Sequence, residues 1–430
     1  MKYIARLLGL VSLFVSLLTL IRPRTGWMSL LLWMPKLLAG SLAPVGVVIG
    51  AFSSLVGLVR RDWPVVIAGG LGTFLSARYV RVVTAPHRGF ERAFGADWES
   101  RIPAYLRPRL RQRRWTPLIL EDNSDVIHQQ DILCGINTET GLDLLTDVWL
   151  PPVGVRRTGL AVIYIHGGAW RYGSKNMRTE AFFRHLASQG HVIMDVAYTL
   201  GPLCDIFGMV GDVRRAIDWM KKNAANYQVD PEKLVLMGGS AGGHLALLTA
   251  YTEEDPAFRP GDVGPDTSVR GVVSYYGPPD FRALHEGIQS GYGRLATNNL
   301  ALSLLRGVDF QFRQWSNMPT GEELEEPLNF LAALIGGTPE EVPEAYRLIS
   351  PISHVDPDCP PTLLIQNTHD FSGMMPQVQL LHERLQEVGV PVVYVELPNT
   401  EHAFDLVLPQ LSPAAQAATY DTERFLALMV

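Results

Sequence analysis

The first 80 residues contain long apolar stretches that no charged side chain interrupts. Residues 7–21 and 37–59 carry no charge, and the run at 63–77 is shorter but of the same character. A helix needs roughly 20 residues to cross a hydrocarbon core of about 30 Å, so the stretch at 37–59 is long enough to span a bilayer. We therefore predict a membrane anchor of two or three transmembrane helices over residues 1–80.

Tryptophan side chains flank these runs, as is typical of the membrane–water interface, at Trp27, Trp33 and Trp63. Two other interpretations remain open. Residues 7–21 could be a signal peptide, although no small-x-small cleavage site precedes Arg22. Residues 63–77 could form a core helix of a soluble protein.

A basic stretch follows the apolar runs. Residues 101–114 hold six arginines with two prolines between them. Arginines next to a membrane anchor contact anionic headgroups, but the same pattern also suits a solvated surface. We assign residues 81–115 to a basic juxtamembrane linker and leave both interpretations open.

From residue 116 onward the pattern alternates between short β-branched runs and helical spacing. Strands are predicted at 142–151, 160–168, 191–198, 233–240, 269–277, 361–367 and 391–398. Helices are predicted at 210–227, 377–389 and 414–429. Strands buried on both faces that alternate with helices form a mostly parallel sheet covered on two sides, so residues 116–430 are predicted to be an α/β domain. Ligands bind such sheets beyond the carboxyl ends of the strands.

The connection at about 281–334 is longer than an ordinary loop between strands, which favours a lid-like insertion. Its aromatic side chains, Phe310, Phe312 and Trp315, could line an apolar acyl pocket or form the small core of a helical insertion. Trp170 and Tyr172, in a glycine-containing loop, are further candidate pocket walls, and either could simply pack.

The composition restricts the kinds of binding partner that we expect. The formal net charge is −6, which gives no reason to expect a nucleic acid and leaves a small molecule or a membrane. The three cysteines, Cys134, Cys204 and Cys359, lie far apart without metal-ligand spacing. Neither a disulfide framework nor a metal site is therefore predicted, and we expect these residues to be buried.

A lone hydroxyl lies among four glycines where the strand at 233–240 ends, in the stretch MGGSAGGH. Gly238-x-Ser240-x-Gly242 is followed by a helical pattern, which is the strand–turn–helix context of a nucleophile elbow. The small residues suit a turn too tight for other side chains. The five-residue pattern alone is also compatible with a plain glycine turn.

A serine nucleophile needs a base within hydrogen-bond reach and a third group that orients the base. His402 and Asp370 each follow a predicted strand, in the Ser, Asp, His chain order expected for this type of site. Three other carboxylates compete with Asp370. Asp356 and Asp358 precede their strand, and Glu401 adjoins the histidine and reaches its ring poorly.

Attack on a carbonyl builds negative charge on oxygen, which backbone N–H groups stabilise. The stretch His166-Gly167-Gly168-Ala169-Trp170 follows the strand at 160–168 and offers two adjacent glycine amides. The N–H of Ala241, directly after the serine, would complete an oxyanion hole.

Taken together, the motifs IYIHGGAWRYGSK, MGGSAGGHLAL and VELPNTEHAFD resemble the α/β-hydrolase superfamily over roughly residues 130–430. The most similar branch holds hormone-sensitive-lipase-like carboxylesterases, feruloyl-esterase-like proteins, isoprenylcysteine methylesterases and kynurenine formamidases. The resemblance implies that Ser240 is the nucleophile, His402 the base and Asp370 the carboxylate partner of the base. It also implies that Gly167, Gly168 and Ala241 are the oxyanion donors.

The sequence departs from that branch at several points. HGGAW stands in place of the lipase HGGG, Gly239 precedes the serine, and NTHDFSG replaces the usual pattern around the aspartate. These departures leave the superfamily intact, but the substrate class does not follow from it.

The sequence therefore predicts a membrane-anchored serine carboxylesterase that acts on a small-molecule or lipid ester and needs no metal or organic cofactor. The alternatives are an amidase or formamidase, an acyltransferase, and a catalytically silent membrane-tethered binding module. The distribution of basic residues around three spans favours a cytoplasmic catalytic domain. Because every candidate catalytic residue lies after residue 160, the anchor is expected to contribute nothing to the triad. Removing about the first 95 residues should then leave a soluble, active domain.

Overall fold

The structure, a computed structural model, describes residues 2–22, 26–117, 123–292, 330–370 and 372–430. These residues include an eight-stranded sheet with the spatial order β1-β2-β4-β3-β5-β6-β7-β8. Its strands are β1 (Ile127–Ile136), β2 (Asp143–Leu150), β3 (Ala161–Ile165), β4 (Val192–Ala197), β5 (Leu234–Gly239), β6 (Gly271–Tyr275), β7 (Thr362–Asn367) and β8 (Val392–Leu397). β2 runs antiparallel to both β1 and β4, and all other neighbouring strands pair in parallel.

Helices cover both faces of the sheet and connect its strands. The described ones in the second part of the chain are α7 (Glu180–Ser188), α8 (Ile206–Tyr227), α9 (Ala241–Tyr251), α10 (Phe281–Tyr292), α11 (Phe330–Ile335), α12 (Pro343–Leu348), α13 (Met375–Glu387) and α14 (Pro413–Met429). Successive residues of a strand point to opposite faces of the sheet and therefore belong to different hydrophobic cores. On β5, Leu236 packs with the α8 side of the sheet, and Val235 packs with α7 and α14 on the other.

All seven strands and all three helices predicted for the second part of the chain are present, with bounds shifted by a few residues. The mostly parallel α/β fold is therefore confirmed. β1 was not predicted, because most of its side chains are exposed or half-buried and it lacks an apolar run. Within the predicted insertion at 281–334, residues 293–329 lie outside the described part of the chain.

The N-terminal region folds into α1 (Lys2–Leu18), α2 (Gly26–Ser41), α3 (Ala43–Arg60) and α4 (Trp63–Val83). Among the described helices, α3 and α4 are long and apolar enough to cross a membrane. The apolar run predicted as one span at 37–59 is divided between α2 and α3. Pro44 lies in the first turn of α3, where proline is tolerated.

Small residues line the contacts between α1, α3 and α4. A Cβ atom added to Gly69 of α4 would lie 2.5 Å from the Gly50 carbonyl oxygen of α3. Ser53 Oγ of α3 donates to the Ala5 carbonyl of α1 at 2.6 Å, and Ser12 Oγ donates to the Gly46 carbonyl at 3.0 Å. The helix backbones therefore approach closely, while most exposed large apolar side chains of the described chain lie outward on residues 3–74.

The basic stretch at 81–115 packs against the α/β domain. It contains α5 (Gly89–Phe94), α6 (Trp98–Arg101) and a 3₁₀ turn at Arg107–Arg109. Arg114 pairs with Asp421 at 2.7 Å and Arg111 with Glu423 at 3.4 Å, both on α14. The arginines at these two positions therefore bind carboxylates of α14.

Candidate active site

Ser240 occupies the turn between β5 and α9. Its backbone has φ 56° and ψ −122°, a conformation that non-glycine residues rarely adopt and that occurs at functional turns. Gly242 lies so close to β3 that an added Cβ would be 1.9 Å from the Ile165 carbonyl oxygen. The glycines are needed because the turn is in contact with the neighbouring strand, and Ser240 remains partly exposed.

The structure brings the three predicted triad residues into one hydrogen-bonded chain. Ser240 Oγ is 2.9 Å from His402 Nε2, and His402 Nδ1 is 2.8 Å from Asp370 Oδ2. Asp370 follows β7 and His402 follows β8, so both side chains reach the serine from the carboxyl ends of parallel strands. This geometry permits proton transfer from the serine hydroxyl to the imidazole.

The surroundings of Asp370 keep its carboxyl ionised. Burial would raise the pKa of Asp370, but the interactions with His402 and the hydrogen bonds from Ser372 outweigh burial and lower it. Ser372 donates its backbone N–H at 2.8 Å and its hydroxyl at 2.6 Å. An ionised Asp370 requires a proton on His402 Nδ1, which leaves Nε2 free to accept from Ser240.

The competing carboxylates occupy other positions. Asp356 and Asp358 are exposed in the turn before β7. Glu401 is buried and forms an ion pair with Lys36 of α2.

Two of the candidate oxyanion donors, Gly167 and Ala241, adjoin the serine. A Cβ atom added to Gly167 would be 3.4 Å from Ser240 Cβ, and Ala241 begins α9, where the N–H groups of the first turn have no partner within the helix. Gly168 has φ 122°, and an added Cβ there would lie 2.0 Å from the Tyr172 carbonyl oxygen. A side chain at position 168 is therefore excluded.

His166 orients this loop. Burial lowers the pKa of His166 to about 4, so its imidazole is neutral and Nδ1–H donates to the Gly167 carbonyl at 2.7 Å. The C=O and N–H of one trans peptide point in opposite directions. The hydrogen bond to the Gly167 carbonyl therefore also fixes the direction of the Gly168 N–H.

The candidate pocket residues differ in their surroundings. Trp170 is only 3% exposed, and its Nε1–H donates to His244 Nδ1 at 3.1 Å, so it packs in the core below the site. Burial lowers the pKa of His244 to about 3, which leaves it neutral and able to accept this bond. Tyr172 is half-buried. Phe310, Phe312 and Trp315 lie outside the described residues.

Sequence reasoning missed four residues next to the triad. The Tyr276 ring lies 4.4 Å from the His402 ring, and its hydroxyl donates to Asp405 in a short hydrogen bond. The sequence feature that could have identified Tyr276 was its position directly after β6. Trp33, Lys36 and Tyr79, from the N-terminal helices, contact the loops that carry Asp370 and His402. Trp33, predicted as a membrane-interface anchor, is instead buried against the α/β domain.

The described part of the chain contains one group whose ligand atoms lie close enough to hold a metal ion, formed by Glu139, Cys204 and Asp205. Asp205 already accepts the Gly208 N–H at the start of α8. Burial raises the pKa of the Cys204 thiol to about 12, which disfavours the thiolate that a metal requires. All three cysteines are buried, as expected.

The strand order, with an antiparallel β2 and a serine elbow after β5, defines the class of α/β-hydrolases. The family model described as BD-FAE matches residues 146–385, more than half of the chain. The protein therefore belongs to this α/β-hydrolase carboxylesterase family.

Two mycobacterial proteins show the level of similarity within the family. The probable carboxylic ester hydrolase LipM of Mycobacterium tuberculosis is 31% identical over 285 residues, covering 66% of this chain and 58% of LipM. Esterase LipQ of the same organism is 28% identical over 286 residues, covering 65% of this chain and 59% of LipQ. The chain thus matches less than two thirds of either relative.

Solved structures give a weaker similarity. The apo form of Thermogutta terrifontis esterase 2 has a TM-score of 0.49 and 19% identity, covering 70% of this chain and 93% of that protein. An inhibited esterase B from Lactobacillus rhamnosis has a TM-score of 0.48 and 20% identity, covering 72% and 90%. The fold assignment therefore rests on the strand order and the family match.

Proposed function

We propose that this protein is a serine carboxylesterase anchored in a membrane by its N-terminal helices. The observation that carries the proposal is the continuous hydrogen-bonded chain from Ser240 Oγ through His402 to Asp370 at the carboxyl ends of the strands. The named ester hydrolases among the relatives support the same chemistry. The substrate is a small-molecule or lipid ester.

The reaction proceeds in two half-reactions. Ser240 Oγ attacks the ester carbonyl carbon while its proton passes to His402 Nε2, and the N–H groups of Gly167, Gly168 and Ala241 stabilise the oxyanion. Collapse of the tetrahedral intermediate expels the alcohol, which takes the proton from His402 and leaves an acyl-enzyme. Water then attacks the acyl group with His402 as base, and release of the acid restores Ser240.

Membrane anchoring is supported by the distribution of side chains in α1, α3 and α4. Soluble helices bury their large apolar side chains, whereas these helices place glycine and serine at their contacts and large apolar residues outward, which is typical of membrane helices. The ion pair between Arg6 and Asp62, at 2.8 Å, joins the start of α1 to the turn between α3 and α4. This arrangement supports three spans.

We further propose that the catalytic domain is cytoplasmic. With three spans, Arg60 and Arg61 lie at the membrane face opposite the hydrolase domain, while Arg78, Arg81 and the arginines of 101–114 lie on the same face as that domain. Protease protection in sealed vesicles tests this orientation. Recovery of the full-length protein in the soluble fraction without detergent would contradict the anchor itself.

Ester hydrolysis by the detergent-purified full-length protein tests the activity. Ser240→Ala should lower turnover of p-nitrophenyl esters on the order of a million-fold, because the residual rate comes only from binding and the oxyanion donors. Ser353→Ala, at an exposed serine on a 3₁₀ turn, is the matched control and should retain full turnover. A Ser240→Ala protein with a tenth of the activity would exclude this nucleophile.

A further inference from the structure

The N-terminal helix α2 contacts the loop that carries the catalytic histidine. Trp33 Nε1 donates to the backbone carbonyl oxygen of His402 at 2.8 Å, and Trp33 is only 7% exposed. This bond joins residues that are 369 positions apart in the chain. It fixes the backbone of the residue that has to accept the proton from Ser240.

Lys36, one helical turn after Trp33, joins both loops of the triad. Its ammonium forms an ion pair with Glu401, the residue directly before His402. It also donates to His369 Nδ1 at 3.3 Å, and His369 directly precedes Asp370. Burial, helped by the Lys36 charge, lowers the pKa of His369 to about 4, so His369 is neutral and accepts this bond.

Two further hydrogen bonds hold the loop at 398–412 that carries His402, here called the histidine loop. Tyr79 of α4 has its hydroxyl 3.3 Å from Thr400 Oγ1, and Ser41 at the end of α2 donates to the Val407 carbonyl oxygen at 2.9 Å. The loop contains three non-glycine residues with positive φ, Asn399 at 56°, Ala403 at 63° and Leu408 at 47°. Contacts from α2 and α4 thus flank His402 on both sides of a strained loop.

The ion pair between Lys36 and Glu401 argues against the view that α2 is merely attached to the domain. Replacing a buried ion pair by well-packed apolar residues is often neutral or stabilising, so Lys36 and Glu401 are a poor means of attaching a helix. A buried ion pair does fix one arrangement of the groups that it joins. Here the ion pair joins α2 to Glu401, next to His402, and the hydrogen bond from Lys36 to His369 reaches the residue next to Asp370.

We propose that Trp33 and Lys36 are positioning residues of the active site and that α2 completes the support of the catalytic histidine. This inference rests on the proposed esterase function. It reverses the expectation that the N-terminal region contributes nothing to the triad, because α2 and α4 of that region hold the loop that carries the base. Hydrolytic activity therefore depends on α2 being docked on the histidine loop.

The test uses the full-length protein in detergent with a soluble short-chain p-nitrophenyl ester. Trp33→Phe removes the indole N–H while keeping an aromatic ring, and Lys36→Met removes the charge while keeping the length of the side chain. Each should lower kcat at least about tenfold with KM within about twofold, because positioning acts on the reacting groups and not on substrate binding. Lys222→Met, which removes an exposed lysine of α8, should behave as wild type.

A double variant separates positioning from stability. Lys36→Met leaves the Glu401 carboxyl buried without its partner, whereas Lys36→Met with Glu401→Gln removes both charges. The melting temperature of the double variant should return towards the wild-type value while kcat stays low. Recovery of kcat together with stability, or single variants with wild-type kcat, would overturn the inference. A wild-type protein that hydrolyses no ester would instead contradict the proposed function.

Discussion

His402 is held at both ring nitrogens, and its partners decide what it can do. Asp370 accepts from Nδ1 at 2.8 Å and keeps its charge because the interactions with His402 and Ser372 lower its pKa despite burial. Nε2 is then the acceptor for the serine hydroxyl at 2.9 Å. We propose that Asp370 selects the tautomer in which His402 can act as a base.

Replacing Asp370 by Asn should therefore lower kcat by about four orders of magnitude, because an amide can donate to Nδ1 and stabilise the wrong tautomer. Covalent labelling of Ser240 should continue at a reduced rate, since the serine stays in place. Steady-state kinetics with a soluble ester measures the loss. Asp358→Asn, at an exposed rival carboxylate, is the control, and an Asp370→Asn protein with normal kinetics would assign the role elsewhere.

Acidification should reduce activity. The hydrogen bond from Ser240 requires an unprotonated Nε2 on His402, and Asp370 remains charged because its pKa is lowered. Glu401 acts in the same direction, since burial raises its pKa to about 7 and its protonation removes the charge that pairs with Lys36. Values of kcat/KM measured from about pH 5 to about pH 9 should rise to a plateau. A profile that falls through neutrality with rising pH would contradict these roles.

At the residue level, the sequence predicted Ser240, His402 and Asp370 because each follows a strand that a local apolar run reveals. Glu401 was recognised only as a rival of Asp370. Its partner Lys36 lies 365 positions away in an apolar helix, and no local pattern reports such a contact. Trp33 was misread for the same reason, since an indole beside an apolar run also suits a membrane interface.

At the level of elements, the turn from β5 into α9 depends on glycines that have no room for a Cβ atom. Gly242 is the most confined of them, because an added Cβ atom would lie 1.9 Å from the Ile165 carbonyl oxygen. Gly242→Ala should therefore lower the free energy of unfolding by about 3 kcal/mol or more, or prevent folding. Gly261→Ala is the control, because an added Cβ there contacts nothing within 4 Å. Chemical unfolding measures both, and equal stabilities would contradict the confined turn.

The contact between α3 and α4 offers a matched pair of neighbouring glycines. A Cβ on Gly69 would lie 2.5 Å from the Gly50 carbonyl oxygen, whereas one on Gly70 would approach Ser54 Oγ only to 3.7 Å. Gly69→Ala should destabilise the helix contact by about 1–3 kcal/mol, and Gly70→Ala should not. Thermal unfolding in detergent measures the difference. Equal melting temperatures for the two variants would argue against close packing of α3 on α4.

Elements with a clear pattern were predictable, and those without one were not. The central strands are uninterrupted apolar runs because helices cover both of their faces. β1 is an edge strand with two register shifts against β2 and mostly exposed or half-buried side chains, so its sequence shows neither an apolar run nor alternation. The break between α2 and α3 is marked in the sequence only by Pro44, inside an otherwise continuous apolar stretch.

At the level of the whole molecule, the apolar helices and the hydrolase domain share a core. Tyr79 and Val83 of α4 and Leu37 of α2 are buried in the same cluster as Val393 of β8. The ion pairs of Arg111 and Arg114 with α14 fasten the following segment to the same domain. Under the proposed membrane anchoring, this shared core would hold the active site at a fixed position relative to the membrane.

Covalent labelling of the full-length protein with a fluorophosphonate tests the central claim, a Ser240 nucleophile activated by His402, most directly. Intact mass should increase by one adduct per chain, and peptide mapping should place that adduct on Ser240. The Ser240→Ala protein should remain unlabelled under the same conditions while keeping its melting temperature. No adduct on a folded protein, or an adduct on another residue, would contradict the account.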